Sequence, residues 1–170
     1  MSTPQVQVKS WSDLLNLRQI DKQAVDFAID HLSEAPKFSA VVVYSQFNVR
    51  AKPPSTIAIS GAGGIIGALL ALKHTNDVKY FLTTEEVLNS NEKSPLYLAK
   101  YAIEKLKTIY PNTEVITLKL GEFDKIKAIL SSGGVYVSGL PYEVVIQISQ
   151  LAGFGKLWHF APLQKVFYVF

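Results

Sequence analysis

Glycines placed where a strand hands over to a helix can bring backbone N–H groups against an anion. They carry no side chain to hold the ligand away, and the first helical turn presents unbonded N–H groups at the positive end of the helix dipole. The run Ser60-Gly61-Ala62-Gly63-Gly64-Ile65-Ile66-Gly67 has that setting, between the apolar stretch Thr56–Ser60 and a helical pattern over Gly64–Lys73. Ser138-Gly139-Leu140-Pro141-Tyr142 repeats it after Val135–Ser138. There Gly139 lets the chain swing out of a sheet and Pro141 suits the first turn of a helix. Ser60, Ser138 and Tyr142 add hydroxyls that could donate to a bound group. For each loop the alternative is a tight turn with no ligand.

Thr83-Thr84-Glu85-Glu86 ends the apolar run Val78–Thr83. A threonine there either caps the next helix or touches a ligand, and the two adjacent carboxylates point in different directions and make a poor acid/base pair. His31 and His74 fall near expected helix C-termini, where they meet the dipole, and His159 alternates with Trp158 and Phe160 in a strand.

The absence of cysteine excludes disulfides, thiolate metal sites and cysteine nucleophiles, and three separated histidines leave little material for zinc. No metal or cofactor is expected. A net charge of +3 favours a phosphate-bearing ligand, but the lysines are spread over helices and form no stripe for duplex DNA. No apolar run reaches the length of a membrane span, and the polar start has no signal-peptide layout. A cytoplasmic protein without membrane contact is the expectation.

The elements that must position these loops follow from periodicity. Val25, Ala28, Ile29 and Leu32 predict a helix within Ser12–Ser33, stopped by Pro36, and Ser39–Phe47 reads as a strand. Arg50–Ser55, with two prolines that block regular pairing, reads as a linker between an N-terminal helix-strand appendage over 1–50 and a Rossmann-like domain over 56–170. From Thr56 onward strands alternate with helices over Gly64–Lys73, Pro95–Tyr110, Phe123–Leu130 and Tyr142–Ala152. On the second of these helices Leu98, Tyr101, Ala102 and Lys105 with Ile109 trace one face. The expected fold is α/β, a doubly wound and mainly parallel sheet. Leu157–Phe160 and Val166–Phe170 are joined too briefly for a crossover, so the C-terminal strand should be antiparallel. In such sheets the first and fourth crossovers flank the crevice where ligands bind, which would bring the two glycine loops together.

The spacing Gly61, Gly64, Gly67 is similar to the fingerprint of extended short-chain dehydrogenases and epimerases. Tyr101 and Lys105 have the Tyr-x-x-x-Lys spacing of that family's catalytic pair, but lie too close to the glycines and read as helix surface and core. The order of elements, the stretch Val78–Val87 (VKYFLTTEEV) and the Ser-Gly end of the fourth strand resemble the CRISPR-associated Rossmann-fold (CARF) domains over about Thr56 to Phe170. That resemblance implies a homodimer with a cyclic oligoadenylate-type nucleotide across its two-fold axis, acting as sensor or slow metal-independent ring nuclease in CRISPR antiviral defence. Ser60, Gly61, Ala62, Gly63, Gly64, Ile65, Thr83, Thr84, Ser138, Gly139, Leu140, Pro141 and Tyr142 would form the cradle. Neither loop carries a lysine or arginine, which favours binding over turnover. Two other readings stay open: an NAD(P)-binding dehydrogenase relative, and a structural interaction module without a small ligand.

Overall fold

Short runs rich in apolar, β-branched or aromatic residues pair most readily as strands of a sheet. Seven of them pair into one sheet in the computed structural model, which describes residues 7–36, 41–43, 54–73, 75, 78–119, 124, 134–137, 157–161 and 166–169. In chain order the strands are β1 (Val41–Val43), β2 (Pro54–Ala58), β3 (Tyr80–Thr84), β4 (Glu114–Leu118), β5 (Gly134–Tyr136), β6 (Leu157–Ala161) and β7 (Val166–Val169). They lie in the order β1-β7-β6-β5-β2-β3-β4. Every neighbouring pair is parallel except β6 with β7, where Trp158 faces Val169 and Ala161 faces Val166 in antiparallel register. The series β4-β3-β2-β5-β6 steps outward in both directions from β2, the arrangement of a doubly wound Rossmann-like sheet.

Two expectations change. The prolines of Arg50–Ser55 do not keep the chain out of the sheet, because Pro54 opens β2 opposite Gly134 and the register shifts between Pro54 and Thr56. A strand's first residue and a bulge are the places where a missing N–H is tolerated. The strand of the N-terminal segment is an integral one, since β1 pairs with β7 at the edge of the same sheet.

The helices are α1 (Trp11–Leu15), α2 (Lys22–Asp30), α3 (Ala62–Leu72), α4 (Glu85–Leu88) and α5 (Tyr97–Ile109), with a 3₁₀ turn at Leu32–Glu34. The single helix expected within Ser12–Ser33 is two. Ser10 accepts from the Asp13 N–H to start α1, Asn16 closes it, and Asp21 accepts from the Ala24 N–H to start α2 afresh. The helices expected over Phe123–Leu130, apart from residue 124, and over Tyr142–Ala152 lie outside the described residues.

Helix α3, AGGIIGALLAL, has no polar side chain, and Ile65, Ile66, Ala68, Leu69, Leu70, Ala71 and Leu72 are all buried. A helix apolar all round must be covered all round. It packs against β2 and β6 on one side and against α2 and α5 on the other. Ala24, Val25, Ala28 and Ile29 form the buried stripe of α2. At the far end, Lys73 Nζ donates to the carbonyls of Ser33 and Ala35, 2.7 Å each, tying α3 to the N-terminal segment. On the sheet side a Cβ at Gly67 would stand 1.8 Å from the Tyr136 hydroxyl oxygen and 3.2 Å from Phe160 Cβ, so any larger residue there would force Tyr136 or the helix to shift.

The inward face of α5 is Ala99, Ala102, Ile103 and Leu106, turned from the face expected; Ile109 is 49% exposed. Tyr101 and Lys105 instead face α2. The Tyr101 hydroxyl donates to Asp26 Oδ1, Lys105 Nζ reaches Asp26 at 2.9 Å and Asp30 at 3.0 Å, and Lys22 Nζ lies 4.7 Å over the Tyr101 ring. Burial alone would raise the Asp26 pKa; the Tyr101 hydroxyl, Lys105 and the Lys22 charge outweigh it and hold the carboxyl below its ordinary value. The bond to Asp26, reinforced by burial, raises Tyr101. Burial would lower Lys105, but its bonds to Asp26 and Asp30 raise it.

Two measurements check this packing. Gly67→Ala should cost about 1–3 kcal/mol by overpacking and lower the melting temperature, and adding Tyr136→Phe should recover part of the loss in a double-mutant cycle. For the α2–α5 clamp, a depressed carboxyl contributes stability above its unfolded pKa near ~3.9, lost as pH falls through the folded value. The raised tyrosine and lysine contribute below their unfolded values near ~10, lost as pH rises through the folded ones. Asp26 is 38% exposed, so solvent screens the pair, and Asp26→Asn should cost only about 0.5–1 kcal/mol at neutral pH. That difference in urea midpoint should shrink at both pH extremes; a pH-independent difference would refute the clamp.

Candidate functional site

Strands β2 and β5 are neighbours, so their carboxyl ends deliver Ser60–Gly61 and Val137 side by side at the point where the strand order reverses. This is where a doubly wound sheet opens a crevice. The loop Ser138, Gly139, Leu140, Pro141 and Tyr142 follows directly but lies outside the described residues.

On the β2 side, Gly61 is the N-cap of α3 with φ −161° and ψ 170°, extended backbone open to any residue, and a Cβ there would meet nothing within 4 Å. Gly64 gives its N–H to the Gly61 carbonyl at 3.2 Å, so one donor of the first turn is already bonded. Ser60 and Ile65 are buried, at the floor of the turn. Ala62 and Gly63 form the first residues of α3. Of Gly61 and Gly67, the one with a steric role is Gly67, the third of the spaced series, where helix packs closely on sheet.

Thr83 and Thr84 have structural partners. The buried Thr83 hydroxyl donates to the Ile59 carbonyl at 2.6 Å, joining β3 to the end of β2. Thr84 Oγ1 accepts from the Val87 N–H and caps α4, with Glu85 and Glu86 in the first turn, where carboxylates oppose the dipole favourably. Tyr101 and Lys105 sit on the α2-facing side of α5. Carboxylate bonding raises the tyrosine pKa there, the reverse of what a proton-donating tyrosine beside a lysine needs.

Sequence reasoning did not find a cleft of about 340 Å³ between the α1–α2 connection and the α3–sheet junction, lined by Leu14, Arg18, Ile66, Tyr136, His159 and Phe160 among others. Its residues come from four separate segments, so no local signal marks it. His159 is half-buried, with Nδ1 3.2 Å from the Val137 carbonyl. His31 stacks on Phe27 and pairs with Glu34 at 2.9 Å, and His74 lies outside the described residues. Among the described residues no group of three or more His, Asp or Glu side chains could hold a metal ion, and no helix is long and apolar enough to cross a membrane.

No family model matches the chain, and no solved structure matches it. A curated protein does: the chain is 53% identical over 167 residues, covering 94% of this chain and 89% of the relative, to a protein described as "Structural protein ORF187" of Acidianus two-tailed virus. This finding overturns the functional expectation built on the glycine loops. Sensing or cleavage of a cyclic oligoadenylate in CRISPR antiviral defence is withdrawn, because the relative is described as a structural protein. At that identity and coverage, the chain belongs to the same protein family as the structural protein ORF187 of Acidianus two-tailed virus.

Proposed function

We propose that this chain is a structural component of a virus particle, acting through contacts with other protein subunits and not through turnover of a small molecule. The observation that carries the reading is the 53% identity, over nearly the whole of both chains, to a protein described as structural in a virus. The local geometry supports it. Gly67 of the glycine string is taken up by the seating of α3, the threonines at the end of β3 are engaged in a cross-strand bond and a cap, and the Tyr101–Lys105 pair is a helix clamp. A rigid doubly wound domain with these residues committed internally has its faces and sheet edges left to offer a partner.

Particles purified on a density gradient from cells producing this chain should contain it as a stoichiometric component by mass spectrometry, retained through a high-salt wash. Abundance in the lysate with absence from the particles would reject the proposal. Cyclic tetra-adenylate, NAD and NADP should leave the melting temperature unchanged, whereas a ligand at a hundred times its dissociation constant would stabilise the fold by about 2.7 kcal/mol.

A further inference from the structure

Among the described residues the sheet ends on β4. Its pairing with β3 runs through five consecutive residues, Glu114 to Leu118, without a register shift. Within a strand, successive residues turn their N–H and C=O groups to opposite sides. The Glu114 N–H bonds to the Lys79 carbonyl, so Glu114, Ile116 and Leu118 turn their backbone groups toward β3, and Val115 and Thr117 turn theirs outward. Among the described residues no strand lies on that outer side. Thr113, next on the outward series, is already satisfied: its N–H bonds to the Tyr110 carbonyl and its own carbonyl accepts from Lys107.

Open edges are usually guarded by a proline, a bulge or a charge within the strand. β4 has no proline and no bulge, and its centre, Val115-Ile116-Thr117, is uncharged and β-branched at all three positions. The edge is therefore a template for another strand. The opposite edge, β1, has only three residues.

We infer that the occupant is a second copy of this chain, paired β4 to β4 in antiparallel register about a two-fold axis through Ile116. The choice of a second copy rests on the reading of the chain as an assembly component; the register follows from geometry. An axis normal to the sheet keeps every side chain on its own face, so residues that oppose each other must be separated by an even number of positions. Centring on Ile116 opposes Val115 with Thr117 of the other copy at both ends, and every outward N–H of one strand meets an outward carbonyl of its mate. Charges agree with this register. Glu114 opposes Leu118 and Lys119 opposes Thr113, so no like charges face each other.

Because the chain contains no cysteine, single cysteines report the register directly. Ile116 faces its own copy as a non-hydrogen-bonded pair, with Cα atoms about 4.5 Å apart, inside the roughly 4.4–6.8 Å range of a disulfide. Two copies of Thr117 are offset by two residues and fall beyond about 7 Å. Light scattering should give a dimer at micromolar concentration. Ile116→Cys should form a reducible covalent dimer on mild oxidation, and Thr117→Cys should not. Thr117→Pro deletes an outward N–H that β3 does not use, and should give a monomer with unchanged circular dichroism.

Should that variant fail to fold, charge pairs decide. Val115→Lys with Thr117→Lys, and Val115→Glu with Thr117→Glu, should each be monomeric alone and dimeric when mixed. A monomeric wild type, a dimer untouched by these changes, or equal crosslinking at 116 and 117 would overturn the inference. Particle incorporation is read separately: a monomer found in particles overturns the edge pairing and leaves the assembly role standing, and a β4-paired dimer absent from particles does the reverse.

Discussion

A helix without a polar face organises this protein. From Ala62 to Leu72 α3 offers nothing for water to solvate, and each buried Leu or Ile on it contributes roughly 1.5–3 kcal/mol only when covered. The sheet can cover one side. The other needs a second layer, supplied by α5 and by α2, whose small buried residues Ala24 and Ala28 let it lie close. The N-terminal helices are thus required by the chemistry of a segment some forty residues later, and Lys73 fastens the two together at the end of α3. Close approach to the sheet imposes the complementary demand, met by one missing side chain at Gly67 beneath the Tyr136 hydroxyl.

The same constraint explains why a glycine-rich string at a strand-to-helix turn misled the functional reading. A nucleotide loop and a tightly seated core helix call for glycine at similar spacing, because both need backbone to come within van der Waals reach of something bulky. In one case it is a phosphate, in the other a tyrosine. A doubly wound sheet hosts many unrelated activities, so its crevice at the switch point raises a hypothesis without deciding it. The overall likeness to a viral structural protein, spread across the whole chain, outweighs that local pattern.

Much of the fold was legible because its signals are local. Alternation of strand and helix from β2 to β4, the hairpin forced by the short connection between β6 and β7, and the capping threonine of α4 all depend on residues close in sequence. The legible part of the candidate site was its address: β2 and β5 do lie together at the switch point. What misled were places where tertiary packing outbid a local preference. Pro54 reads as a strand breaker but opens β2, since its missing N–H falls at a bulge. The Asp21 cap restarts a helix that apolar periodicity alone would run through. On α5 the pattern admits two overlapping faces, and the carboxylates of Asp26 and Asp30 turn Tyr101 and Lys105 toward α2.

By itself, then, the sequence determined the α/β class, the strand-helix alternation from β2 to β4 and the exclusion of disulfide and thiolate chemistry, since these follow from local periodicity and composition. Only the tertiary structure decided that β1 joins the sheet through β7, that Gly67 is a packing glycine, and that among the described residues β4 is an edge with the backbone of Val115 and Thr117 turned outward. Each of these depends on which distant segments become neighbours, a choice made by the summed burial of α3 and the strands around it and carried by no short stretch of the chain.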